Sequence, residues 1–124
     1  MDYCLNGEAR AQTYAQLISS FYSSKSTSTS LSGIYDGYTT TGGAPPPATY
    51  MTYSAGMAFL GPAGVGAMAA GDSAATLRNL SYLTVKAYST TNAMNTSGAF
   101  TYYNASWGVL SLMAMSGNFW DMTQ

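Results

Sequence analysis

Between Asp36 and Asp72 the chain carries no Asp, Glu, Lys or Arg, and the heart of that stretch, Met57-Ala58-Phe59-Leu60-Gly61-Pro62-Ala63-Gly64-Val65-Gly66-Ala67-Met68-Ala69-Ala70-Gly71, is apolar on every side. A helix that is apolar all round cannot lie on a wet surface, so the run predicts a buried helix. Its Gly and Ala positions would let neighbouring helices approach closely, and Pro62 is expected in its first turn. It does not read as a membrane span. Pro45 to Pro47, Pro62 and several glycines interrupt the uncharged stretch, and a crossing helix needs about 20 mainly apolar residues.

Other helices should gather around this one. From Glu8 to about Ser24, Tyr14, Leu17, Ile18, Phe21 and Tyr22 recur at three-and-four spacing, which predicts a helix with one buried stripe. Gly7 before it reads as a helix stop, so Met1 to Leu5 are expected to be the last turn of a preceding helix. Ser73 is expected to cap a third helix reaching Thr84 to Ser89, whose apolar side is built from Leu77, Leu80, Tyr82, Leu83 and Val85. A fourth runs from about Tyr102 to Met115 and ends at Ser116-Gly117-Asn118. Lys25 to Tyr53 is irregular and reads as a long loop with room for a short hairpin; loops beyond about 12–15 residues tend to be functional or mobile. No strand pattern competes. The expectation is an all-α fold of stacked helical hairpins, about four helices and a short N-terminal stub, in one segment spanning 1–124.

The chain's 124 residues include only four Lys and Arg and five Asp and Glu, for a net charge of -1. That leaves no basic footprint for a phosphate backbone, so nucleic acid is not expected as a partner. Ser, Thr, Gly and Tyr take the place of surface charge, and weak mutual repulsion makes self-association an expectation. The absence of His and the single cysteine, Cys4, exclude an intrachain disulfide, a His-dependent nucleophile and an ordinary zinc site. No cofactor is expected, and Cys4 reads as a small buried apolar residue. Asp2 and the lack of a basic stretch before an apolar core mean that no export signal is read at the N-terminus.

Five strings carry more than generic information: Asp2-Tyr3-Cys4-Leu5-Asn6-Gly7-Glu8-Ala9-Arg10-Ala11; Ile34-Tyr35-Asp36-Gly37-Tyr38; Met57 to Met68; Tyr102-Tyr103-Asn104-Ala105-Ser106-Trp107; and Ser116-Gly117-Asn118-Phe119. Their order and spacing resemble the C-terminal third of glycoside hydrolase family 8, a set of secreted bacterial endoglucanases, xylanases and chitosanases. The resemblance covers almost the whole chain. It implies a place in an (α/α)6 barrel, a secreted or periplasmic location, and inverting cleavage of β-1,4-glucan. Inversion needs one carboxylic acid to protonate the leaving oxygen and a second carboxylate to activate water, roughly 6.5–9.5 Å apart. In the family the acid is a Glu in the N-terminal part. The base is an Asp just upstream of an Arg-x-Pro-Trp-Arg string that would fall immediately before Met1. Neither position exists in this sequence, so no catalytic residue is assigned and a missing N-terminal portion is one expected partner.

The remaining acids read otherwise. Glu8, Asp72 and Asp121 are expected to be capping or solvated residues, and Asp2 takes no catalytic role. Asp36, between Tyr35 and Tyr38, either faces sugar or makes the turn that an Asp-Gly pair favours. Aromatic rings are the other half of glucan recognition, because the apolar face of a pyranose lies flat on Tyr or Trp. Tyr102, Tyr103 and Trp107 are candidates for the groove, with helix packing as the alternative, and Tyr35 and Asp36 complete the candidate substrate-binding set. Tyr50 and Tyr53 are weaker candidates. Tyr14 and Tyr22 are expected in the core. No function follows from the Asn-x-Ser/Thr triplets at Asn79, Asn95 and Asn104.

Two functions emerge from the sequence. The first is a portion of a secreted endo-β-1,4-glucanase that meets β-1,4-glucan but lacks turnover by itself. The second is an extracellular self-assembling subunit, driven by apolar faces such as the Phe59–Ala70 stripe that would lack a partner.

Overall fold

A computed structural model of the chain describes residues 6–35, 37–43, 56–90 and 101–118. Among these the fold is all-α, with helices α1 (Ala9–Lys25), α2 (Met57–Ala70), α3 (Ala75–Thr90) and α4 (Thr101–Met115) and no strand. A 3-10 turn, Asp72–Ala74, leads into α3. The helices form a bundle around α2, which packs against each of the other three, whereas α3 and α4 touch more lightly.

The central place of α2 follows from its composition. Gly61 and Gly64 cost helix propensity, roughly 1 kcal/mol each against Ala, but they remove the Cβ atoms that would keep neighbours away. A Cβ on Gly61 would lie 2.7 Å from Ser111 Cβ of α4, and one on Gly64 would lie 2.8 Å from Ser81 Cβ of α3. Ser19 of α1 also faces a glycine, Gly66, but less closely, with an ordinary contact of 3.9 Å between its Oγ and the position a Cβ would take. Three helices thus set a buried serine against a glycine of the fourth. Around these contacts Leu60, Ala67, Leu77 and Val85 form the core. The Phe59–Ala70 stripe, expected to lack partners, is therefore largely covered by its three neighbours, with Pro62 and Val65 left half-buried beside α4.

Pro62 is not in the first turn. The helix starts at Met57, so Pro62 lies inside it and removes the N–H that would bond the carbonyl of Ala58. Ser73 also departs from expectation. It sits within the 3-10 turn, and α3 begins two residues later.

The largest difference concerns α1. Its predicted buried stripe faces outward, with Tyr14 66% and Leu17 63% exposed and Ile18 likewise exposed; Tyr22 and Phe21 are half-buried. The packed side is the small-residue face of Ala11, Ala15 and Ser19, joined by Tyr22. This small-residue face is the one that packs against α2, so helix packing outweighs apolar periodicity here.

Helix ends match the sequence better. Asn6 is helical and Gly7 takes a φ of 70°; Met1 to Leu5 lie outside the described residues. Glu8 is the N-cap of α1, and its carboxylate accepts from Arg10 N–H at 3.1 Å. α4 closes on Gly117 at φ 76°, with Gly117 N–H donating to Ala114 O at 3.2 Å and Asn118 N–H to Met113 O at 2.9 Å. This is the Schellman pattern that the Ser-Gly-Asn string predicts.

The connection from α1 to α2 is anchored in its described part. Ile34 is fully buried and Leu31 nearly so, and both join the core. Beyond them Thr39 forms a tight turn, its carbonyl accepting from Gly42 N–H at 2.8 Å and its own N–H donating to Gly43 O at 3.0 Å. Among the described residues of this connection no strand forms, and this turn is what corresponds there to the expected hairpin.

Candidate functional site

α4 carries three of the five predicted site residues and no charge. Trp107 and Tyr103 are one turn apart and meet edge-on, ring centroids 6.3 Å apart at 73°. Tyr103 is 55% and Trp107 39% exposed. Tyr102 is 85% exposed and lies about 140° around the helix from Trp107, on the same exposed arc but too far round for its ring to meet that pair.

Trp107 also lines a groove of about 380 Å³ between α2 and α4, with Pro62, Val65, Gly66, Leu110, Ser111 and Ala114. Its walls are almost wholly apolar. Pro62, Val65, Leu110 and Ala114 are not among the expected site residues, because nothing local marks which residues of two separate helices will border a common space. Asn104 was passed over as well. Its Oδ1 accepts from Ala58 N–H at 3.0 Å and so caps α2, whose own N-cap, Gly56, has no side chain to do so.

Tyr35 belongs to another place. It lies 5.9 Å from Tyr38, which in turn stands edge-on to Phe21 at 4.9 Å. The Tyr38 hydroxyl accepts from Tyr35 N–H at 3.0 Å and donates to Gly33 O at 3.2 Å. Lys25 Nζ lies over the Phe21 ring, 5.2 Å from its centroid. This cluster fastens the α1–α2 connection to the end of α1. Among the described residues no ring contact joins it to Tyr103 or Trp107, so the predicted set splits between two sites. Asp36 lies outside the described residues.

The electrostatics fit a neutral surface. Burial pushes the Tyr22 phenol above its ordinary range. Burial does the same to Tyr38, helped by the neighbouring Tyr22 and Tyr35, while the hydrogen bond from Tyr35 N–H acts in the opposite direction. Both hydroxyls stay protonated at neutral pH. Of the acids, Glu8 is used as a cap and Asp72 is exposed in the 3-10 turn. The described residues hold no group of His, Cys, Asp and Glu able to bind a metal ion, and no helix among them is long and apolar enough to cross a membrane.

No family model, curated protein or solved structure matches the chain.

Proposed function

We propose that the chain is a portion of a secreted or periplasmic endo-β-1,4-glucanase resembling glycoside hydrolase family 8, and that it forms glucan-binding wall without proton-transfer machinery. The observation that supports this reading is the exposed Tyr103–Trp107 pair at the rim of an uncharged groove. Flat rings of this kind can take the apolar face of a pyranose, while solvent satisfies its hydroxyls. Of the described acids, Glu8 caps α1 and Asp72 lies exposed in the 3-10 turn, and the resemblance places the family's acid and base outside this sequence. Without that pair the chain forgoes the roughly 10²–10⁴-fold contribution of general acid and base. The acid and base would come from sequence outside these residues, and the (α/α)6 barrel belongs to this proposal too.

Affinity electrophoresis through gels containing carboxymethylcellulose tests the binding. The chain should be retarded, Trp107→Ala should lose most of the retardation, and a reducing-sugar assay should find no turnover. Equal mobility with and without the polymer would defeat the proposal, as would ordinary endoglucanase rates from this chain alone.

A further inference from the structure

Among the described residues, one side of the bundle has no helix packed on it. On α4, Asn104, Ser111 and Met115 turn toward α2. The remaining arc, about 160° wide, carries Tyr102, Tyr103, Trp107, Val109, Leu110 and Met113, all exposed. Ala114 also lies within the arc, buried at the groove floor; Ser106 is the polar residue within it, and its hydroxyl donates to the carbonyl of Tyr102 in the same helix at 2.9 Å. No Asp, Glu, Lys or Arg occurs between Lys86 and Asp121 or anywhere in α2. These six side chains leave roughly 600 Å² uncovered, taking about 150–250 Å² for a whole aromatic residue. The walls of the adjoining groove, Pro62 and Val65, extend the same surface.

A monomer seldom shows an apolar patch beyond about 300–600 Å², and a stable pair buries about 800 Å² on each partner. We propose that this face is where two copies of the chain meet, α4 against α4 about a two-fold axis. Area is the first argument, since the face and groove together approach what each partner of such a pair buries. Charge is the second, because a surface with no ionised group is not repelled by itself and offers nothing to a charged partner. Shape is the third. Leu110 lines the groove and Met113 stands one turn further along the same exposed arc, so a two-fold rotation brings this ridge of each copy toward the other copy's groove. Trp107 lines that groove. On the glucan reading above, a cello-oligosaccharide and a second copy therefore exclude each other, although the pairing does not depend on that reading.

Sedimentation of the full chain at tens of micromolar should give twice the 13.0 kDa chain mass. Val109→Glu/Met113→Glu, at two exposed positions, should sediment as single chains with unchanged helical circular dichroism and at least tenfold weaker association. Leu17→Glu, on the exposed stripe of α1, should leave the doubled mass intact. Should the double variant fail to fold, Trp107 emission in a Trp120→Phe background should shift to the red as the protein is diluted. Single-chain mass for the unaltered protein overturns the proposal, and so does dissociation by Leu17→Glu in place of the α4 variant. A monomer that floats with phosphatidylcholine vesicles overturns it in favour of a lipid surface. Cellohexaose that binds the monomeric variant yet leaves the pair intact refutes the exclusion alone; failure to bind refutes the glucan reading and leaves the pairing standing.

Discussion

Asn104 of α4 and Ala58 of α2 lie 46 residues apart in sequence, yet the side-chain Oδ1 of one accepts the backbone N–H of the other at 3.0 Å. An N-cap is ordinarily local. Here Gly56 leaves the first turn of α2 without a side-chain acceptor, and a neighbouring helix supplies one. Asn104→Ala should cost about 0.5–2 kcal/mol, and Asn104→Asp should retain most of the stability because it keeps the acceptor and suits the helix dipole. Urea unfolding measures both. Equal midpoints for the Ala variant and the parent would mean that the bond contributes nothing.

Gly64→Ala separates helix propensity from packing. Propensity alone favours Ala by roughly 1 kcal/mol, but the new methyl would meet Ser81 Cβ at 2.8 Å and Met115 Sδ at 2.5 Å. Overpacking of this kind costs about 1–3 kcal/mol, so the net result should be a loss. Thermal unfolding that rises on substitution would show that the helices can move apart without penalty.

Ser81 is fully buried and its hydroxyl has no hydrogen-bond partner, as is also the case for Ser19. An unpaired buried hydroxyl costs about 1–3 kcal/mol. Ser81→Ala, which keeps the Cβ against Gly64, should therefore stabilise the protein by around 1 kcal/mol. A urea midpoint that falls in this variant would reveal an unseen role for the hydroxyl.

The raised phenols of Tyr22 and Tyr38 give stability a direction in pH. The folded chain holds these protons more tightly than the unfolded chain, so their contribution is full below the ordinary tyrosine range near 10. It is lost as pH rises from there through the folded values. Tyr38→Phe also removes the bonds to Tyr35 N–H and Gly33 O. It should lower stability at pH 7 by about 0.5–1.5 kcal/mol per bond and flatten the fall above pH 10. An unchanged alkaline slope in that variant would assign the effect to other groups.

The helices were legible because their signals are local. The uncharged small-residue run fixed α2 as the buried element, and glycines marked the ends before α1 and after α4. What the sequence concealed depends on distance between helices. The stripe of Tyr14, Leu17 and Ile18 has the right period for a buried face, but the small residues on the other side of α1 are the ones that pack toward α2. Tyr103 and Trp107 came together because they are one turn apart, whereas Tyr35 shares no helix with them and was drawn into the ring cluster at the end of α1. The groove walls from α2 and the cap from Asn104 arise only once α2 and α4 are side by side.

The cap also bears on how the protein can be produced. Asn104-Ala105-Ser106 fits the acceptor triplet for N-linked glycans. A Cβ on Gly56 would stand 2.5 Å from Asn104 Oδ1 and 3.1 Å from its Nδ2, so the amide that would carry the sugar is held against the start of α2. A glycan there would have to displace that helix terminus. In a host that decorates secreted chains, the fraction modified at this asparagine would count molecules tagged before the bundle closed, and an unglycosylating bacterial host avoids that loss.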